Sequence, residues 1–477
     1  MNRKQKDLSK NVVLFTISSF GSRLLTFLLV PLYTSYLTTE DYGFADLIST
    51  TVTLLLPILL VCIESGLLRF AFDKDKTLEE VFSSSSYILL RGTAICLIGA
   101  GIIALIPNLP FDKIYILFFV LMFVATGLSH FMASFYRGAD KIGVMVETSL
   151  IHTAITCGLN ILFLAVFKFG IYGYMVANFL GTYISIIWGG LRTKVWRYFA
   201  VSKIKKPIIK ELHKYCFPGI FNKLGWWINN AIDRYIVTWF LGTDQNGIYS
   251  VSYKIPTILS TISSIFADAW ALSAFKEFDP DDSDGFMIGM YNLYNSVLVL
   301  GCSLLIVLNI PLATFLYQNE FFIAWKYTGP LIFSVIFGGL SGFLGCITAA
   351  VKDTKISAYS TIVGGIVNIS LSIALVRSMG VMGVAIGTLV SNVIIWLMRM
   401  MRAKRYAKLR INYFRDFLMY GLIVAQFIIG IFGEFKIVPV LIQSAIFIVL
   451  MIINRKAVIK VFDMALSMLK KKKNKAA

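Results

Sequence analysis

The sequence is short of charge, and shortest of negative charge. Charged residues make up 15% of its 477 positions, where a soluble protein carries about 25%. Only 26 residues are acidic, against 45 basic ones. Domain counts drawn from soluble proteins therefore do not apply. Histidine occurs three times, at His130, His152 and His213, with a spacing that suits no metal site. The six cysteines are scattered and form no CxxC pair, which argues against a disulfide framework or a thiolate zinc site. They read as small buried hydrophobes. No P-loop is present, so nothing points to direct ATP hydrolysis. No cofactor is expected.

What fills the chain instead is apolar: 57% of residues are hydrophobic, in long runs. A helix of about 20 such residues crosses a bilayer core about 30 Å thick. Backbone groups in lipid must pair internally, so the runs must be helices. Fourteen are predicted, at residues 12–37, 44–70, 81–106, 114–136, 142–167, 171–191, 216–241, 248–275, 287–316, 327–350, 356–376, 381–398, 417–432 and 437–453. The first contains Arg23 and continues past Pro31 without a convincing cleavage site, so it reads as a retained span. The fold class is an all-α polytopic membrane protein of about 14 transmembrane helices.

The basic residues are not spread evenly. More than half of the 45 lie before the first run, after the sixth (Arg192 to Lys214), after the twelfth (Arg399 to Arg415) or in the tail (Arg455 to Lys475). With fourteen crossings, all four clusters fall on one side. The positive-inside rule makes that side cytoplasmic, with both termini on it, in a bacterial inner membrane. The net charge of +19 then reflects loops held near anionic lipid, and no basic face suited to nucleic acid is evident. The acidic loop at residues 276–285 (KEFDPDDSDG) departs from a calcium loop at its sixth and twelfth positions, Asp284 and Met290, and reads as solvated. The opposite loops are short and hold no acid–base cluster. The chain is not expected to be an enzyme, and a sugar polymerase or ligase is disfavoured.

An internal repeat is visible. YLTTEDYG at residues 36–43 returns as FLGTDQNG at residues 240–247, and GIYG at residues 170–173 returns as GVMG at residues 380–383. Asn160 and Asn368 stand at similar distances before the second pair. An offset of six spans keeps both halves in the same direction, a parallel repeat about an axis along the membrane normal. The organisation expected is a six-helix lobe over residues 1–193, a basic linker over 194–214, a second six-helix lobe over 215–403, two accessory helices within 404–456 and a basic tail over 457–477.

Charges inside spans are costly. An arginine at mid-membrane costs about 2.5–3.5 kcal/mol on insertion scales. Arg23 is such a residue. The seventh span carries Lys223, Trp227, Asn230 and Arg234 on one face, with Asn222, Asn229 and Asp233 about 100° round. Lys254 and Asp268 follow in the eighth. Glu64 and Arg91 sit at similar depth and could pair, and Asp233 could neutralise Arg234 or Arg23. Arg69, Glu147 and Asp268 read as solvated near the cytoplasmic face. Gly338 and Gly342 form a GxxxG, read as close helix packing. The candidate substrate-binding set is Arg23, Lys223, Trp227, Asn230, Asp233, Arg234 and Lys254.

Several segments together carry a resemblance: an arginine in the first span, LTTEDYG at residues 37–43, YRGADK at residues 136–141, and NNAIDRYIVTWFLGTDQNGIYSVSYKI at residues 229–255. Over nearly its whole length the chain resembles the polysaccharide transporter (Wzx-like, O-antigen flippase) family of the multidrug/oligosaccharidyl-lipid/polysaccharide (MOP) exporter superfamily. The resemblance implies two six-helix lobes around a central cavity, plus two C-terminal helices. It implies a flippase for an undecaprenyl-diphosphate-linked oligosaccharide, moved to the outer leaflet by alternating access for O-antigen or capsule synthesis and coupled to an H+ or Na+ gradient. Arg23 and Arg234 are the residues it would place on the anionic diphosphate. Alternatives are a lipid II flippase, or a multidrug or cation exporter of the same superfamily. The excess of Arg and Lys weighs against the exporter.

Overall fold

The computed structural model describes residues 25–276, 278–353, 355–433 and 437–460, apart from the side chains of residues 268, 269, 272, 275 and 276. The first span is therefore seen only from residue 25, and Arg23 lies outside the described residues. Two compact units divide between Ala231 and Ile232. The first holds α1 (Val30–Tyr36), α2 (Thr39–Leu59), α3 (Ile63–Phe70), α4 (Leu78–Leu105), α5 (Ile114–Gly138), α6 (Ile142–Asn160) with a π-helical turn at Ile161–Val166, α7 (Gly170–Thr193) and the first part of α8 (Lys206–Leu241). The second takes the rest of α8, then α9 (Thr243–Ser252), α10 (Lys254–Lys276), α11 (Phe286–Val307), α12 (Asn309–Leu316), α13 (Trp325–Ala350), α14 (Lys355–Met379), α15 (Val381–Ala403), α16 (Tyr413–Gly433) and α17 (Ile437–Ile453).

Most of the long helices fall on the apolar runs, and no strand occurs among the described residues. Among the described residues, ten helical segments are long and apolar enough to cross a membrane. Shorter apolar helices at Leu25–Tyr36, Lys254–Ala267 and Ile437–Ile453 fall on the expected first, eighth and fourteenth spans. The 36-residue α8 is in neither group, because its residues 222–234 include Asn222, Lys223, Asn229, Asn230, Asp233 and Arg234.

Three runs expected to be continuous are interrupted. The run at 248–275 restarts after Tyr253, with Pro256 in the first turn of α10. The run at 287–316 restarts after Leu308, with Pro311 in the first turn of α12. A proline there has no N–H to contribute and needs none, so each helix restarts where the proline fits best. The run at 44–70 breaks at Val61 and Cys62, both left-handed at φ 54° and 53°. Pro57 has already removed one ladder bond just before this point. A β-branched residue at positive φ is strained and persists only where its surroundings fix it. Here they do: Leu60, Cys62 and Ile63 are buried among Leu56, Leu67, Phe131 and Phe135, and α8 adds Leu212 and Cys216 to the same core.

Gly92 is what lets α4 approach this break. A Cβ on it would lie 2.2 Å from the Leu59 carbonyl oxygen. Backbone cannot swing away as a flexible side chain would. Gly92→Ala is therefore expected to destabilise the protein by about 1–3 kcal/mol, the usual cost of overpacking. Gly99→Ala on the same helix meets nothing within 4 Å. It should be neutral or stabilising by up to about 1 kcal/mol through helix propensity. Denaturant titration of both variants in detergent checks the contrast, and equal stability would refute the close approach.

The repeat has a structural counterpart in each unit. Thr39 and Thr243 are the first residues of α2 and α9. Gly170 and Gly380 both have positive φ, at 55° and 59°. Gly173 and Gly383 both pack on the end of the preceding helical segment: an added Cβ would lie 3.2 Å from the Phe163 carbonyl oxygen in one case and 2.6 Å from the Leu375 carbonyl oxygen in the other. The short sequence matches thus mark the same helix starts twice.

One smaller expectation changes. Gly342 of the GxxxG faces open space, and tight glycines on α13 are Gly329, whose Cβ would lie 2.0 Å from the Phe427 ring, and Gly339, whose Cβ would lie 2.7 Å from the Tyr294 hydroxyl. The acidic loop is largely spent on itself. Asp279 accepts from the Ser283 N–H and hydroxyl at 2.7 and 2.6 Å. Asp282 accepts from the Met287 and Ile288 N–H groups at 2.8 and 3.0 Å, capping α11.

Candidate functional site

Polar and charged side chains within the expected spans concentrate on α8, and the two units use different parts of it. In the first unit, Lys223 pairs with Glu64 from the first turn of α3. Trp227 donates its indole N–H to the Thr50 carbonyl at 3.1 Å. Asn229 and Asn230 bond back to the Gly225 and Trp226 carbonyls at 3.0 and 2.7 Å. Those back-bonds hold the side chains against the helix while Lys223 and Asn230 stay exposed.

The expected Glu64–Arg91 pair does not form. Arg91 instead meets His213 at 3.1 Å. The cause is rotational. Gly92 faces the break in the second span, and the preceding residue points about 100° away from it. The left-handed step at Val61–Cys62 also resets the phase of Glu64. Arg69 pairs with Asp73 at 2.8 Å and Glu147 with Arg192 at 3.3 Å, all accessible, as their reading as solvated groups required. The Asp268 side chain lies outside the described residues.

The Lys223–Glu64 pair is partly exposed, with 43% of the lysine side chain accessible. Its worth should sit in the upper part of the range for exposed pairs, about 0.5–1 kcal/mol. A cycle of Lys223→Glu, Glu64→Lys and the double swap is expected to recover that coupling in thermal stability. Strictly additive losses would show that the two residues do not pair.

In the second unit, Asp233 is buried, at 1% exposure. Its carboxylate accepts from the Tyr249 hydroxyl at 2.8 Å, the Asn368 amide at 2.8 Å and the Thr388 hydroxyl at 2.6 Å. The three partners come from α9, α14 and α15. All are neutral, and they bond the carboxylate directly; Arg23, one of its two expected ionic partners, lies outside the described residues. Arg234 is one residue on, turned about 100°, and lies over the Tyr253 ring at 5.5 Å. Tyr253 shares its hydroxyl with Tyr249 at 2.9 Å. Ser372 extends the network through Asn368 Oδ1 at 3.3 Å. Lys254 opens α10 beside Tyr253 and is half-buried.

Of the sequence-predicted set, Lys223, Trp227 and Asn230 thus belong to the first unit, and Asp233, Arg234 and Lys254 to the second. Sequence reasoning missed Tyr249, Thr388 and Ser372, and recognised Asn368 only as a repeat marker. A lone polar residue in an apolar run was the available signal for Asn368 and Thr388.

A family profile described as "Polysaccharide biosynthesis protein" matches residues 8–271. The chain belongs to that family. Like solved structures, this polysaccharide biosynthesis family member has the fold of MOP superfamily transporters. It is 17% identical to lipid II flippase MurJ in an inward closed conformation, with TM-score 0.68, over 94% of this chain and 100% of that one. It is 13% identical to an inward-facing multidrug resistance MATE family transporter of the MOP superfamily, with TM-score 0.66, over 84% and 100%. A MOP superfamily transporter from Pyrococcus furiosus, described by the reverse polarity of its binding pocket, is 12% identical, with TM-score 0.55, over 83% and 93%. At these identities the likeness is one of fold. No curated protein matches the sequence significantly.

Proposed function

We propose that this protein flips an undecaprenyl-diphosphate-linked oligosaccharide from the cytoplasmic to the outer leaflet for surface polysaccharide synthesis, by alternating access driven by a cation gradient. The observation that carries this reading is the exposed polar stripe of α8 in a member of a polysaccharide biosynthesis family. Lys223, Trp227 and Asn230 cannot face lipid at that depth and need a water-filled route. A sugar–diphosphate head is too polar to drag through hydrocarbon and needs the same route. Trp227 and the asparagines suit sugar, and the charges of Arg23, Arg234 and Lys254 in the sequence suit a diphosphate.

Asp233 takes a different role in this proposal. Enclosed at 1% exposure, it is out of reach of a bulky sugar but open to a proton or a small hard cation. Carboxylate, hydroxyl and amide oxygens are the donors such a cation prefers. Both termini are cytoplasmic in this scheme, with the basic loops on anionic lipid.

The test is a strain lacking the chain. It should accumulate the undecaprenyl-diphosphate-linked repeat unit on the cytoplasmic leaflet and lose surface polysaccharide. Accumulation of lipid II instead would favour the peptidoglycan-precursor alternative, which the MurJ-like fold keeps in view. Accumulation of neither, with loss of drug resistance, would favour the exporter. Pairing of Lys223 with Glu64 lowers the cation excess that disfavours the exporter, so the lipid assay is the deciding measurement.

A further inference from the structure

We propose that the second unit holds a built site for the phosphate of an anionic membrane phospholipid, at the end of the bundle where α16 begins and α17 stops. A cleft of about 520 Å³ opens there, lined by α11, the start of α16 and the turn after α17. The turn is pinned by Asn454, which is 4% exposed. Its amide donates to the Leu450 carbonyl at 2.8 Å, and its Oδ1 accepts from the Ser296 hydroxyl at 2.6 Å. Pinning Asn454 to α11 sets the next helical stretch, residues 455–460, over the cleft. Arg455, Lys456 and Lys460 line it together with Arg415.

The charges do not cancel. Arg415 is engaged by Asp416 at 2.7 Å and by Asn292 Oδ1 at 2.6 Å. Among the described residues, Arg455, Lys456 and Lys460 enter no ion pair and no acidic residue lines the cleft. The aspartates of the 278–285 loop are engaged elsewhere: Asp279, Asp282 and Asp284 accept from N–H groups of their own turn and the start of α11, and Asp281 pairs with Lys408 at 2.8 Å. Among the described residues, three cations without an ion pair therefore face one cleft.

The surroundings select a phosphate that carries acyl chains. Phe414, Phe417, Ile452 and Ile459 are exposed by 81, 59, 60 and 59%. They lie at the ends of spans, where hydrocarbon meets headgroups. Free phosphate would use the cations and leave this apolar surface bare. A two-chain anionic lipid uses both, and basic residues at the cytoplasmic end of a span are the usual partners of such lipids. Nothing in this inference depends on the transported substrate, so it stands or falls apart from the proposed function.

The experiment uses the full chain purified in detergent, with bound lipid counted by native mass spectrometry and stability followed by melting. Phosphatidylglycerol, phosphatidylcholine and inorganic phosphate are added separately. Phosphatidylglycerol should be retained at one copy and raise the melting point, and the other two should do neither. The Arg455→Gln, Lys456→Gln, Lys460→Gln triple variant should weaken phosphatidylglycerol binding by about tenfold or more, given three lost surface charges. The charge-preserving Arg455→Lys, Lys456→Arg, Lys460→Arg variant should keep it. Lys205→Gln, Lys206→Gln, Lys210→Gln removes equal charge from exposed positions in the first unit and should leave it unchanged. Equal loss in both glutamine triples would reduce the effect to general surface attraction and overturn the site. Stabilisation by inorganic phosphate alone would overturn the lipid assignment.

Discussion

Asp233→Asn is expected to stop export almost completely while the protein remains folded in the membrane. The change keeps the size and shape of the side chain and removes only its charge. One of the three donors, Tyr249, Asn368 or Thr388, would then face an amide N–H in place of an oxygen. That mismatch costs about 1–3 kcal/mol, as for one unsatisfied buried group. It is tolerable for a bundle of this size. The functional loss should be far larger, because a neutral amide can neither take up a proton nor balance a bound cation. Export should fall by more than about tenfold, as expected where an intramembrane ionisable group is functional. Thr388→Ala and Asn368→Ala keep the carboxylate and remove one neutral partner each. They should shift the cation concentration needed for half-maximal export and leave a measurable maximal rate. A dependence on sodium at fixed pH would identify the ion as sodium, and a dependence on pH alone would identify a proton. Normal export by Asp233→Asn would sink the coupling role of this network.

How much of this was legible in the sequence depends on which physical signal each feature uses. Hydropathy is a sum over about 20 residues, so span positions survive local irregularity, and α16 and α17 appear where the two shortest apolar runs lie. The polarity of α8 is equally robust: six polar or charged residues within residues 222–234 of one helix cannot all face lipid. Side-chain pairing is another matter. It depends on rotational phase, and a single left-handed step at Val61–Cys62 is enough to redirect Glu64 from Arg91 to Lys223. Asp233 meets Asn368 and Thr388 across 135 and 155 residues of sequence, a distance over which spacing carries no information. The accessory helices show the same limit. Gln426 and Gln443 exchange amide-to-carbonyl hydrogen bonds at 3.0 Å, and Ser303 donates to Gln426 at 2.8 Å, joining α11, α16 and α17. Each glutamine alone looks like an isolated polar residue in an apolar run. Arg399 was hidden differently, inside a basic cluster that the orientation rule explains without it.

Arg399 carries the second large effect. It is 5% exposed near the end of α15, and no carboxylate pairs with it among the described residues. Its guanidinium donates to the Ser360 hydroxyl at 2.9 Å, the Ser341 carbonyl at 3.1 Å, the Ser357 carbonyl at 3.3 Å and the Thr361 hydroxyl at 3.0 Å. Those groups stand on α13 and α14, so one side chain ties three helices. The two hydroxyls give their own hydrogens to the Ser357 carbonyl, which leaves their lone pairs for the arginine. Gly345 makes the room, since a Cβ there would lie 3.2 Å from Nη1. Two effects oppose each other when the arginine is removed. Relief from burying an unpaired cation favours an apolar replacement. Loss of four hydrogen bonds to a charged donor disfavours it, at about 0.6 kcal/mol each on the membrane average and more where the partner is charged. The carbonyl-rich ends of α13 and α15 already support a cation here, so the relief is the smaller term. Arg399→Met should therefore destabilise the protein by about 2–3 kcal/mol. Arg399→Lys should be no better than methionine: it keeps the buried charge, and a single ammonium cannot reach partners that need a planar fork. Unfolding titrations of the two variants read both the size and the order. A methionine variant as stable as the parent would show that the hydrogen bonds do not offset the buried charge. A lysine variant close to the parent would show that charge alone, and not the fork, holds α13, α14 and α15 together.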